Sequence, residues 1–301
     1  MLLPTALLLP YSPARKSVYL YAVALGLLLP AGIIFLRDAL NDKISGKDEI
    51  TAATGLSVVG EISYIKKEKD RVLPALAGGI VGEQFRGLRT NLSLLNKDVK
   101  NQVLLVTSSI SGEGKSFVSQ NLAVVMARAG KKVALLELDI RKPAESPLAQ
   151  FHGKGLGDYL LGDAELEHIA QSIEGLPGLH IYPSGNVVTD AADLLVDGKV
   201  AALFAALQEQ YDVLVINAAP VGLVSDALVL QQYATSVAYV VRQGFTPKSE
   251  LAKLNTLISA GKLPRTHIVF NGLRAAKKYG YAYGNQRQNP YFNRAGLAAV
   301  K

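Results

Sequence analysis

The chain has no cysteine, only two methionines and only four histidines among 301 residues. Without cysteine there can be no disulfide scaffold, thiolate zinc site or cysteine nucleophile. So few histidines leave no basis for a histidine-rich metal centre. Charge is also sparse, at 19% of residues against 49% hydrophobic, which excludes wholesale disorder, a collagen and a coiled-coil rod. Acid is missing from one whole region. Leu251–Lys301 holds nine Lys/Arg and no Asp or Glu, and removing those nine from the net charge of +7 leaves residues 1–250 at −2. The basicity therefore belongs to the tail, where it suits nucleic acid, phosphate groups, an anionic membrane face or plain solvation.

Ser17–Leu36 is an uncharged run of 20 residues. As a helix it is roughly 30 Å long, the hydrocarbon thickness of a bilayer, so it is read as a transmembrane helix. Pro30 is better tolerated there than in a soluble helix. The opening MLLPTALLLP is too short to span and lacks the basic start of a signal peptide. Arg15 and Lys16 before the span and Arg37, Lys43 and Lys47 after it barely bias its orientation.

Beyond the span, Arg37–Gly55 reads as a helical stretch stopped by glycine, Leu56–Ile62 as a short strand and KKEKDR as a solvated run. Over Gly79–Leu95 the residues Phe85, Leu88, Leu92 and Leu95 recur at helical spacing. Glu83, Arg86 and Arg89 lie off that face as a charged stripe, either solvated or paired with a neighbouring subunit.

Gln102–Thr107 is a buried strand by composition, followed by SSISGEGKS and an apolar-periodic helix from about Phe117 to Ala129. Strand, glycine-bearing loop, Gly-Lys-Ser and helix make a P-loop, although Ser109 stands where the first glycine is usual. Gly112 and Gly114 let backbone amides turn onto phosphate oxygens, and the helix N-terminus adds positive potential. Lys115 reaches the terminal phosphates and Ser116 offers a hydroxyl to Mg²⁺. ATP contacts are expected along Ser111, Gly112, Glu113, Gly114, Lys115, Ser116 and Phe117. Lys132–Leu138 leads into Asp139 and Arg141, and Tyr211–Ile216 into Asn217. Later strands fit Val237–Arg242 and His267–Phe270, with a helix near Pro247–Ala260 between them. The alternation predicts a doubly wound, mostly parallel α/β sheet of P-loop NTPase type, with polar strand ends gathered at one edge.

These residues resemble the bacterial tyrosine kinases of polysaccharide export. EQFRGLRTNL is similar to that family's oligomerisation motif, SSISGEGKS to its Walker A loop, LLELDIRKP to Walker A′ and VLVINAAPVGLVSDA to Walker B. GLGDYLLGD, and the span followed by TGLSVVGEI, fit as well. The end, KKYGYAYGNQRQNPYF, resembles a C-terminal cluster of modified tyrosines, here Tyr279, Tyr281, Tyr283 and Tyr291. The resemblance implies a homo-oligomeric ring formed through Glu83, Arg86 and Arg89. Each tail would be phosphorylated in trans with ATP and Mg²⁺, and a protein-tyrosine phosphatase would reverse the reaction, so governing the polysaccharide polymerase and export machinery. It implies no nucleic-acid partner.

The resemblance also implies an adenine contact for Asn271, for which capping a turn is the other reading. Lys115, Asp139, Glu137 and Asn217 become the candidate catalytic residues, with Ser116, Asp139 and Glu137 as magnesium ligands. Two departures stand out. The family has aspartate where Glu137 and Asn217 stand; glutamate extends the carboxylate, and asparagine keeps an acceptor oxygen but loses the charge. Losing an outer-shell metal partner typically costs about 10–100-fold.

Three functions follow. The first is an active membrane-anchored autokinase; the second is an ATP-binding structural regulator with weak or no transfer, favoured by Asn217; the third is a partitioning-type ATPase, opposed by the span and the tyrosines. Asp226 is expected to cap the next helix or reach metal-bound water, and Arg141 to meet phosphate, a neighbour or solvent. Because ATP is cytoplasmic, the expected organisation is an extracytoplasmic segment 1–16, a plasma-membrane helix 17–36 and a juxtamembrane linker 37–78, then a kinase domain 79–273 and a basic tyrosine-rich tail 274–301. The family's large periplasmic domain does not precede the span, so this is either a partial chain or one whose periplasmic domain is a separate polypeptide.

Overall fold

The computed structural model describes residues 15–66, 79–97, 99–141 and 153–274. The chain divides into two units, Met1–Asp42 and Lys43–Lys301. In the first, helix α1 runs Arg15–Ala39 with Pro30 inside it. Its window Lys16–Ile33 is long and apolar enough to cross a membrane, with none of it buried against protein.

In the second unit, α2 (Lys47–Thr54) and strand β1 (Val58–Ser63) precede α3 (Gly79–Leu95), β2 (Gln102–Ser108), α4 (Lys115–Ala127) and β3 (Val133–Glu137). Then come α5 (Leu156–Leu161), α6 (Leu166–Ile169), a hairpin of β4 (Gln171–Ile173) with β5 (Leu176–Tyr182), α7 (Ala191–Val196) and α8 (Gly198–Gln210). The unit continues through β6 (Val213–Asn217), α9 (Asp226–Leu230), β7 (Ser236–Arg242), α10 (Lys248–Ser259) and β8 (Thr266–Leu273). The eight strands form one sheet in the order β1-β8-β7-β2-β6-β3-β5-β4, parallel except for the β4–β5 pair. This is the doubly wound, mostly parallel sheet expected from the sequence.

Both faces of the sheet are covered, which is why its central strands read as continuous apolar runs. Val103, Leu105, Ala134, Leu136, Leu214 and Ile216 point to one face, where Leu203 and Leu207 of α8 and Leu251 and Leu254 of α10 pack. Leu104, Val106, Val133, Leu135, Val213 and Val215 point to the other, under Phe85, Leu88 and Leu92 of α3 and Val118 and Leu122 of α4. This alternation is the two-residue period of a strand, and it decides which side each polar strand end meets.

The helix expected over Arg37–Gly55 is divided. Its second part begins only at Lys47, because the backbone of Ile44 pairs with a loop instead: its N–H donates to the Thr246 carbonyl and its carbonyl accepts from Gly244. Gly55 closes α2 as expected. Residues 47–63 of the sequence-defined linker thus supply α2 and β1, and β1 pairs with β8. Tyr279, Tyr281, Tyr283 and Tyr291 lie outside the described residues.

Candidate functional site

In a parallel sheet every strand ends at the same edge, so β2, β3, β6, β7 and β8 deliver their last residues together. Strand parity sorts them further. Glu137 continues the alternation of Val133 and Leu135, Asn217 that of Val213 and Val215, Arg242 that of Ala238 and Val240, and Asn271 that of Val269. All four therefore face the layer that holds α4. Glu137 and Asn217 are register partners on neighbouring strands, as are Arg242 and Asn271.

The loop from β2 to α4 turns on Gly112 (φ 88°) and Gly114 (φ 99°). At each, a side chain would also lack room. A Cβ on Gly112 would lie 3.0 Å from the Phe245 ring, and one on Gly114 2.2 Å from Asn271 Nδ2. The loop is pinned from outside by Arg242, which donates to the Gly112 carbonyl (2.7 Å), and by Asn271, which donates to the Glu113 carbonyl (2.8 Å). Lys115 opens α4 and is 5% exposed.

Glu113 is a carboxylate inside a loop built to receive anions, and the fold turns it away. It is fully buried and accepts from the Ile110 N–H (2.8 Å) and the Thr246 hydroxyl. Burial pushes its carboxyl above the ordinary value, against those two hydrogen bonds. Of the residues expected to touch ATP, Glu113 can thus offer its backbone but not its side chain. Ser111 and Gly112 are exposed, whereas Gly114, Ser116 and Phe117 are half-buried.

Beneath α4 lies a polar cluster. The Asn217 amide donates to Ser116 Oγ (3.0 Å) and to Glu137 Oε2, while Gln120 Nε2 donates to Glu137 Oε1 (3.3 Å). Glu137 and Asn217 are each 2% exposed. Burial pushes the Glu137 carboxyl up, and the Asn217 and Gln120 hydrogen bonds oppose it. The sequence reading valued Asn217 for its acceptor oxygen; within the cluster it works as a donor, and Oδ1 has no hydrogen-bond partner among the described residues. Asp139 stands half-buried two residues past the end of β3.

These groups fit a divalent cation held largely by phosphate and water. A hydroxyl at the start of the helix, a nearby carboxylate and an unpaired amide oxygen are all oxygen donors, as magnesium prefers. No cage of three or more Asp, Glu, His or Cys forms among the described residues. At Ser116 opens a cleft of about 280 Å³, also lined by Ser63, Tyr64, Phe117, Gln120, Arg242 and Asn271. Sequence reasoning had found Asn271 and Phe117 there. It missed Gln120, one helical turn from Ser116, and Arg242, which ends β7 as Asn217 ends β6.

Other expectations are corrected or refined. Asp226 neither caps its helix nor is left for water: fully buried, it takes Arg141 on both oxygens (2.7 and 2.9 Å). That partner raises the Arg141 guanidinium still further. Asn271 spends both ends of its amide within the protein, its Oδ1 accepting from Gly272 (2.8 Å). On α3, Arg86 pairs with Glu83 in the same helix (2.8 Å), and Arg89 donates to the Val125 carbonyl at the end of α4 (3.1 Å).

Comparison with known proteins gives consistent relatives. Residues 98–159 match the family described as ParA: NUBPL iron-transfer P-loop NTPase. The chain is 30% identical over 208 residues to the tyrosine-protein kinase YwqD of Bacillus subtilis strain 168, covering 69% of this chain and 87% of that one. With EpsB of Ralstonia solanacearum it is 30% identical over 294 residues, 92% of this chain. The chain spans only 38% of that relative's length. Among solved structures, the BceF tyrosine kinase domain superposes with a TM-score of 0.66 at 28% identity, covering 77% of this chain and all of that one.

Proposed function

We propose, because the chain belongs to the bacterial tyrosine kinase family, that it is a protein-tyrosine autokinase anchored in the bacterial plasma membrane. It would transfer the ATP γ-phosphate to tail tyrosines of a neighbouring copy. The observation that carries the reading is the convergence of the glycine-turned loop, Lys115, Ser116 and the carboxylates of Glu137 and Asp139 at one sheet edge beside a base-sized cleft.

Catalysis of this transfer needs alignment and charge neutralisation more than covalent chemistry. The amides of Ser111–Lys115 and the N-terminus of α4 would hold the phosphates, and Lys115 would meet the charge that develops on the transferred group. Ser116, Glu137 and Asp139 would hold magnesium, which supplies further neutralisation of the triphosphate. The adenine would occupy the cleft against Phe117, Arg242 and Asn271. The phenol oxygen of Tyr279, Tyr281, Tyr283 or Tyr291 attacks the γ-phosphorus as the bond to the β-phosphate oxygen breaks. Asp139, half-buried where Glu137 is enclosed, would take the phenol proton, and ADP leaves.

Ring assembly through Glu83, Arg86 and Arg89, reversal by a tyrosine phosphatase and control of polysaccharide polymerisation and export complete the reading. Phosphotyrosine among the tail's Lys and Arg would reverse its local charge. The neutral Asn217 favours a second reading, an ATP-binding regulator of export without transfer. The test mixes detergent-solubilised Lys115→Ala protein with a copy whose four tail tyrosines are phenylalanine, in Mg-ATP. Phosphotyrosine on the Lys115→Ala chain, and only in the mixture, is the expected result. ATP binding with no phosphotyrosine in any combination replaces the kinase with the regulator.

A further inference from the structure

The sheet edge opposite the nucleotide loop carries a second cavity. There the chain passes from α3 to β2 and from α4 to β3, so helix ends meet strand starts. Between them lies a groove of about 470 Å³, within the range of small-ligand pockets. Four of its lining residues are cations: Arg89 on α3, Lys97 and Lys100 on the turn that follows, and Lys131 just ahead of β3. The three lysines are exposed, and among the described residues none of them forms an ion pair. Arg89 donates Nη1 to the Val125 carbonyl (3.1 Å), which stands its guanidinium against the end of α4. Among the described residues the lining carboxylate is Asp212, and it already accepts from the Lys132 N–H (2.8 Å). Asp98 lies outside the described residues.

Apolar surface lies among these cations. Leu94 of α3 is 66% exposed and Val99 36% exposed, and both line the groove. Free phosphate or a nucleic-acid backbone would engage the cations and leave that surface wet. A phenyl phosphate engages both, its ring on Leu94 and Val99 and its oxygens on Arg89 and the lysines. We propose that this groove binds the phosphotyrosines of the protein's own C-terminal tail. Charge makes the binding conditional on modification. Residues 275–301 hold five Lys/Arg and no Asp or Glu, so the unmodified tail is repelled by a basic groove. Phosphates on Tyr279, Tyr281, Tyr283 and Tyr291, at about −1.5 to −2 each, turn the tail from cationic to about −1 to −3. Arg89 also belongs to the stripe assigned to ring assembly, so a docked tail would contend with a ring neighbour for it.

The inference rests on the kinase reading for the source of the phosphate, and its test separates the two. Full-length protein in detergent, with the four tail tyrosines changed to phenylalanine so that no internal ligand competes, is titrated with synthetic peptides of residues 277–292. One peptide is unmodified, one carries phosphate on its four tyrosines, and one has four phosphoserines in their place. The phosphotyrosine peptide is expected to bind at least about 10-fold more tightly than the unmodified one, and Lys97→Glu/Lys100→Glu/Lys131→Glu to erase that preference. Leu94→Ser is expected to weaken the phosphotyrosine peptide by about 3–10-fold and to leave the phosphoserine peptide unchanged. Equal binding of modified and unmodified peptides, or undiminished binding by the triple variant, overturns the proposal. So does a phosphoserine peptide that matches the phosphotyrosine one, because the groove is then a site for bare anions. The peptides carry their phosphate from synthesis. A chain that binds them but never phosphorylates its own tail therefore refutes the kinase and not the groove, and one that phosphorylates its tail without binding them refutes the groove alone.

Discussion

Replacing Gly114 with alanine strikes the loop where backbone and side-chain geometry are least forgiving. At φ 99° an alanine sits in a region L-residues avoid, at a cost of about 1–2 kcal/mol. Its Cβ would also lie 2.2 Å from Asn271 Nδ2, so the Asn271 side chain must leave. Leaving breaks two hydrogen bonds of 2.8 Å, to the Glu113 carbonyl and from the Gly272 N–H. Stranding those groups adds about 1–3 kcal/mol. The total, about 2–5 kcal/mol, lowers the midpoint by about 4–20 °C in a domain of this size. Circular dichroism melting of Gly114→Ala, Asn271→Ala and the double variant measures it. With Asn271 truncated the new methyl has room, so the double variant should cost at least about 1 kcal/mol less than the sum of the singles. A Gly114→Ala protein that melts within 2 °C of wild type, or strict additivity, refutes the reasoning about this loop.

Arg141→Ala leaves the fully buried Asp226 carboxylate without its guanidinium, so a loss of about 3 kcal/mol in urea unfolding is expected. Adding Asp226→Ala should recover part of it, and a further loss would contradict the pairing. A pH dependence follows from Glu113, whose carboxyl burial pushes up. A raised carboxyl favours the folded state while protonated, so its contribution is full below the ordinary value of 4.5 and is lost as pH rises through the folded value. Thr246→Val removes a donor that favours the charged form and should move that loss to higher pH, while Glu113→Gln should abolish it. Urea midpoints between about pH 4 and 8 check this, and a Thr246→Val profile shifted toward acid would contradict it.

The parts of this molecule that read clearly in the sequence are those set by short-range pattern. The buried run of β2, the glycines of the loop and the apolar face of α4 lie within 26 residues (102–127), and each has its own chemical signature. The helical spacing of Phe85, Leu88 and Leu92 likewise fixed α3 to its ends. What was not legible depends on register. Arg141 and Asp226 are 85 residues apart, and nothing local marks either as the other's partner. Glu137 and Asn217 were read as two separate departures because only strand pairing makes them neighbours. The short β4 and the hairpin to β5 carry too few residues for a period to show. The side chain of Glu113 points inward because Thr246 waits there, a contact across 133 residues.

The most direct test of the central claim is intact and peptide mass spectrometry of the purified protein after incubation with Mg-ATP, beside Lys115→Ala treated identically. The account predicts added phosphate on Tyr279, Tyr281, Tyr283 or Tyr291 in wild type and none in Lys115→Ala. An unmodified wild-type tail, in protein shown to bind ATP, would contradict it.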